Sequence, residues 1–121
     1  TGVQTCALPI WKGLVIIYQN QNRLNESLEY LNELEAISPD LQHLNILKAS
    51  QQYLEGKLKT AIRYTLLEIK NYPMEADAYY MLSDLYKING DESESRLYLE
   101  KAKQLNENNS KTMVYSLLNI K

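Results

Sequence analysis

A chain of 121 residues is one domain or part of one. Its hydrophobic content of 45% and mixed-sign charged content of 23% are those of a globular chain, and a net charge of −2 argues against a nucleic-acid binder, which presents a basic face. A single Cys excludes an internal disulfide framework and any Cys-based zinc site, and no segment approaches the roughly 18 apolar residues that span a bilayer.

The first ten residues, TGVQTCALPI, stand apart. They carry no charge, supply the only Cys and resemble the translation of a sequencing-library adapter read in one frame. We expect them to be foreign, with Cys6 functionless and the natural protein continuing upstream of Trp11. The most apolar stretch, residues 7–18, is interrupted by Lys12 and reads as a buried helix.

Helical periodicity then runs to the end, and nothing alternates with the period of a strand. The first helix is expected over 9–21 and ends at Asn20 to Asn22. The second, 25–38, is closed by Ser38-Pro39-Asp40, with Asp40 offered as an N-cap. Gly56 parts a third helix, 41–55, from a fourth, 58–72, which ends at Tyr72-Pro73 because the residue before proline is pushed out of the helical region. A fifth, 75–89, stops at Asn89-Gly90-Asp91, where Gly90 suits a left-handed C-cap and Asp91 with Glu94 forms an acidic capping box. A sixth, 92–106, and a seventh, 111–121, are expected either side of a break at 106–110, with Ser110 a candidate N-cap.

These elements repeat every 34 residues. Pro39 and Pro73, Gly56 and Gly90, and the series Tyr30, Tyr64, Tyr98 share that spacing, and Tyr18 and Tyr86 lie two periods apart. A fixed period of this length signals a solenoid whose units bury their apolar faces against neighbours. Two helices per 34 residues resembles the tetratricopeptide repeat. Trp11, Leu14, Val15 and Tyr18 occupy the first-helix slots of one unit, with Ser27, Leu31, Leu34 and Pro39 on its second helix; Tyr79, Leu82, Ser83, Tyr86, Ser95, Leu99 and Ala102 do the same in a later one. The units are expected near 8–41, 42–75 and 76–109, with a partial fourth at 110–121. The implied fold is all-α, a right-handed solenoid of about seven helices.

The second unit departs. Strict spacing buries Lys48 and Gln52, so we expect its first helix to slip by one residue, placing Ile46, Ala49, Ser50 and Tyr53 in the core. Thr65 and Glu68 fit buried slots poorly, which makes the fourth helix the weakest part of the reading.

No catalytic constellation is present. His43, the only histidine, reads as solvent-exposed; Glu26, Glu29, Glu33 and Glu35 spread around a solvated helix face; no nucleophile elbow, P-loop, dinucleotide glycine motif or calcium loop occurs. No cofactor or metal is expected. The tyrosine ladder reads as structural, rings buried and hydroxyls outward. The resemblance implies that first helices line a concave groove for a partner. Its slots are Lys12, Ile16, Gln19 and Asn20, then Leu47, Gln51 and Leu54 in the shifted unit, then Tyr80, Asp84 and Lys87, with Val114 and Leu118 beyond. Ile16, Asp77 and Met81 do not suit a carboxylate clamp, and the apolar strip favours an amphipathic helix. The expected function is a non-catalytic protein-interaction scaffold for a protein or peptide, with neither nucleic acid nor membrane insertion. Alternatives are the sensor or docking array of a larger kinase or transcription factor, and an envelope or glycan-handling lipoprotein. Localisation stays open, leaning to the cytoplasm. The last helix, apolar at Met113, Val114, Leu117, Leu118 and Ile120, is expected to lack a polar cap and to bind a partner or self-associate.

Overall fold

The computed structural model describes the backbone of residues 2–119 and the side chains of residues 10–108. The described residues form six α-helices and no strand: α1 (Gly2–Asn20), α2 (Leu24–Ile37), α3 (Leu44–Leu54), α4 (Leu58–Asn71), α5 (Ala76–Ile88) and α6 (Glu92–Asn119). The all-α architecture of helical hairpins expected from the sequence holds. The chain divides into two compact units, Thr1–Glu68 and Ile69–Lys121.

In the first unit α1 pairs with α2, and α3 packs against both. Val15, Leu31, Leu34, Leu44 and Leu47 form its core, flanked by half-buried Trp11, Tyr30 and Leu41. In the second unit α5 pairs with α6 around Ala76, Tyr79, Ala102 and Leu105. Small residues permit close helix approach there: the Ser83 hydroxyl donates to the Ser95 carbonyl at 2.8 Å and lies 3.2 Å from the Ser95 hydroxyl.

Three turns joining first to second helices have the same bonding. Asn22, Gly56 and Gly90, spaced by 34, all take positive φ (57°, 83° and 89°). The next N–H bonds back five residues in each: Arg23 to Tyr18, Lys57 to Gln52 and Asp91 to Tyr86, at 2.8, 2.8 and 2.9 Å. The left-handed residue's own N–H bonds back three, to Gln19, Tyr53 and Lys87. This is the Schellman end of a helix, which requires a residue tolerant of the left-handed region.

That identity corrects the expected slip. No residue is missing before Gly56, so α3 keeps the strict 34-residue register. Val15, Ala49 and Ser83 are buried at one spacing, as are Ser27, Ala61 and Ser95. Tyr53, expected in the core, is 43% exposed, and Ile46 and Ser50 are half-buried. The slip rested on the cost of burying Lys48. The structure avoids that cost: Lys48 is only half-buried, its ammonium pairs with Glu35, and it lies 4.8 Å from the Tyr64 ring centroid.

The irregularity of the middle repeat lies instead at the start of α3. Here α3 begins at Leu44, whereas α5 begins at Ala76, the counterpart of residue 42. His43 takes φ 75°, and its backbone N–H donates to the Glu68 Oε2 at 2.9 Å. Thr65 and Glu68 are both fully buried: Thr65 bonds back to the Ala61 carbonyl at 2.9 Å, and Glu68 takes the N–H freed by the unwound turn. His43, expected in solvent, is accordingly half-buried.

The expected break at 106–110 does not occur, and α6 runs 28 residues through it. Residues 106–110 contain neither Gly nor Pro. Asn and Ser weaken a helix by only about 0.5 kcal/mol each, and nothing there removes a backbone donor.

Candidate functional site

The first-helix residues singled out from sequence separate by burial. On α1, Ile16 is 46% exposed and Asn20 exposed, while Lys12 is half-buried with its Nζ 3.5 Å from the Gln42 carbonyl and 3.4 Å from His43 Nδ1. On α3, Leu54 is 38% exposed. On α5, Asp84 and Lys87 are exposed, and half-buried Tyr80 accepts a bond through its hydroxyl from Asn106 Nδ2 at 2.9 Å.

Gln19, Leu47 and Gln51 do not belong to that surface. Leu47 is core, and the two glutamines form a buried polar network between α1, α2 and α3. Gln19 Nε2 donates to the Leu47 carbonyl at 3.1 Å and to Gln51 Oε1 at 3.4 Å. The same Oε1 accepts from the Ser27 hydroxyl at 2.6 Å. Gln51 Nε2 donates to the Leu24 carbonyl at 3.0 Å and to Glu55 Oε2 at 2.8 Å. Every hydrogen-bonding position of the Gln51 amide is therefore used, which is what a buried amide needs. Leu47 and Gln51 were assigned to the surface through the slipped register. In the strict register the slots of Lys12, Ile16, Gln19 and Asn20 recur at Ile46, Ser50, Tyr53 and Leu54 and at Tyr80, Asp84, Lys87 and Ile88. Tyr53 and Ile88, 43% and 55% exposed, are surface residues the sequence reading missed, although the 34-residue spacing marks both.

The tyrosine ladder is structural. Tyr18 stacks on Tyr30 with centroids 5.6 Å apart and planes 8° from parallel, and Tyr86 stacks on Tyr98 at 5.6 Å and 11°. Each pair joins the two helices of one hairpin. In the intervening repeat Gln52 replaces the first tyrosine, and the Lys48 ammonium takes the vacated position near Tyr64. Arg23 covers the Tyr18 ring at 4.7 Å. Tyr79 donates from its hydroxyl to the Pro73 carbonyl at 2.8 Å, linking the first turn of α5 to its preceding loop. Burial pushes the Tyr79 phenol above its ordinary value, with Tyr98 adding to the effect. Tyr86 is raised by burial first, then by Tyr98, Glu94 and Asp91.

Among the described residues no three His, Cys, Asp or Glu side chains gather to hold a metal ion, and no helix is long and apolar enough to cross a membrane. Paired helices with left-handed caps and close contact through small residues define helical-hairpin repeats. The tetratricopeptide repeat model matches residues 76–109, and the chain carries a tetratricopeptide repeat there. Such repeats are in general non-catalytic and serve as protein-protein interaction scaffolds that bind proteins or peptides. Among curated proteins none matches the chain.

Proposed function

We propose that this chain is a non-catalytic scaffold that holds a peptide or an amphipathic helix of a partner protein against its first helices. The observation that carries this reading is the exposed apolar side chains that each unit presents on its own first helices: Ile16, Tyr53 and Leu54 in the first unit and, separately, Ile88 in the second, each at least 38% exposed. Exposed Asp84 and Lys87 beside Tyr80 supply polar groups to fix a ligand's orientation. Self-association through the last helix rests on residues 113–120, whose side chains lie outside the described residues.

The test is a peptide library selected for binding to the intact chain. Peptides so obtained should lose at least about tenfold in affinity to an Ile16→Glu, Leu54→Glu double variant that keeps wild-type helicity, since interface anchors contribute about 1–3 kcal/mol each. Binding that survives this change and fails with Leu28→Glu or Leu97→Glu would place the working surface on the second helices and overturn the assignment.

A further inference from the structure

The outer faces of two second helices carry opposite charge in matching spacing. On α2, Glu29 and Glu33 are exposed one turn apart, followed on the same face by exposed Ala36 and half-buried Ile37. On α4, Lys59 and Arg63 are exposed one turn apart, followed on the same face by Leu66 and Leu67 at 37% and 41% exposure. The only acid on α4, Glu68, is fully buried, so the exposed part of that helix is purely basic on a chain of net charge −2. Among the described residues, none of these four charged side chains is in an ion pair. Elsewhere the first unit does pair its charges where it can, as Arg23 does with Glu26 and Lys48 with Glu35.

We propose that the α4 face of one copy docks on the α2 face of a second copy. Two carboxylates four residues apart on one helix meet two cations four residues apart on the other when the helices lie side by side. Laid parallel, the helices set Glu29 against Lys59 and Glu33 against Arg63, and they bring Ala36 and Ile37 against Leu66 and Leu67, so apolar contact accompanies the ion pairs. Isolated surface ion pairs are weak, so the apolar contact supplies the attraction and the charges set partner and register. Because the two faces differ, the contact is heterologous, and it closes into a ring or grows into a chain of copies. Both faces lie on second helices, leaving the first-helix surface free for a partner; the inference is independent of the proposed function.

Sedimentation equilibrium of the full chain tests it. At low ionic strength the average mass should rise above the 14.1 kDa protomer with concentration and fall back when salt is added. A Lys59→Glu, Arg63→Glu variant should be monomeric, and so should a Glu29→Lys, Glu33→Lys variant. An equimolar mixture of the two should regain association, because each then offers the complement of the other. Circular dichroism confirms that both are folded, and a Lys59→Gln, Arg63→Gln variant should show the same loss if a reversed pair misfolds. The proposal is overturned by a mixture that stays monomeric, by a wild-type chain that is monomeric at low salt, or by association indifferent to salt and to both variants, which would place the contact on an apolar surface such as the last helix. Wild-type chain that is monomeric in solution and sediments only with phosphatidylserine vesicles would likewise overturn it, assigning the basic face to a membrane surface.

Discussion

Glycine to alanine is the same chemical change at every position, yet its sign should differ between α1 and the hairpin turns. Gly56 and Gly90 take φ of 83° and 89°, and an added Cβ would meet nothing within 4 Å at either. Crowding by neighbours is thus removed from the comparison, and the local backbone cost remains. An L-residue forced into the left-handed region costs about 1–2 kcal/mol, partly offset by the unfolded chain losing freedom, so each Gly→Ala should destabilise by about 1 kcal/mol. Gly→Asn at the same positions should cost less, since Asn tolerates this region and already occupies it at Asn22 with φ 57°. Gly13 lies inside α1 with equally open surroundings and no positive φ. There Ala removes the entropic penalty of glycine and should stabilise by about 0.5–1 kcal/mol. Urea titrations monitored by circular dichroism resolve these differences, because 1 kcal/mol moves the midpoint by about 0.5 M at a typical slope. A neutral Gly56→Ala and Gly90→Ala, or a destabilising Gly13→Ala, would refute the claim that the turn glycines are required for backbone conformation alone.

Gln51→Leu should cost about 1–2 kcal/mol in urea unfolding, because it removes the acceptor shared by the Gln19 amide and the Ser27 hydroxyl, each of which keeps one other partner, the Leu47 and Leu24 carbonyls; a loss under about 0.5 kcal/mol would mean the network contributes nothing net. Stability should fall as pH rises above about 10. The Tyr79 and Tyr86 hydroxyls titrate above the ordinary value of 10.0 when folded, so the folded chain holds more protons over that interval and their contribution is lost as pH rises through the folded values. Tyr79→Phe should lessen that alkaline dependence while losing about 1 kcal/mol with the bond to the Pro73 carbonyl, both read from thermal melts across the alkaline range. Deleting residues 1–8 should leave the thermal midpoint unchanged, and a loss above about 1 kcal/mol would show that the segment packs natively.

The periodic features were legible because they follow from backbone requirements. A Schellman turn needs a residue that accepts positive φ, so Gly56 and Gly90 announced themselves, while Asn22 read only as a helix end. Close helix approach needs small side chains, so Ser27, Ala61 and Ser95 fell into place. The groove residues of the second unit were not legible. Their assignment depended on whether Lys48 is tolerated near the core, and that is decided by partners distant in sequence: Glu35 lies 13 residues away. The end of α2's partner network was hidden for the same reason, since Gln51 meets Ser27 across 24 residues. A rule that penalises a polar residue by type is sound only when its partners are absent.

Polar residues in the middle repeat follow one physical pattern. Lys48, Gln51, Gln52, Thr65 and Glu68 stand where the outer repeats place Leu, Ile, Tyr or Ala. Four of the five find a partner, namely Glu35 and Tyr64 for Lys48, four hydrogen bonds for Gln51, the Ala61 carbonyl for Thr65 and the His43 N–H for Glu68. A buried amide or carboxylate with fixed partners tolerates fewer alternative packings than a leucine, because a one-residue slide that leaves apolar contact intact strands its hydrogen bonds. Between two repeats of similar apolar pattern, such a slide is the error most available to the chain. Lys48, Gln51 and Glu68, whose partners lie on other elements, therefore act against it, at the cost of the apolar contact that apolar residues in those slots would have made. The unwound start of α3 is part of that exchange: the helix gives up its first turn, and the freed His43 N–H meets Glu68.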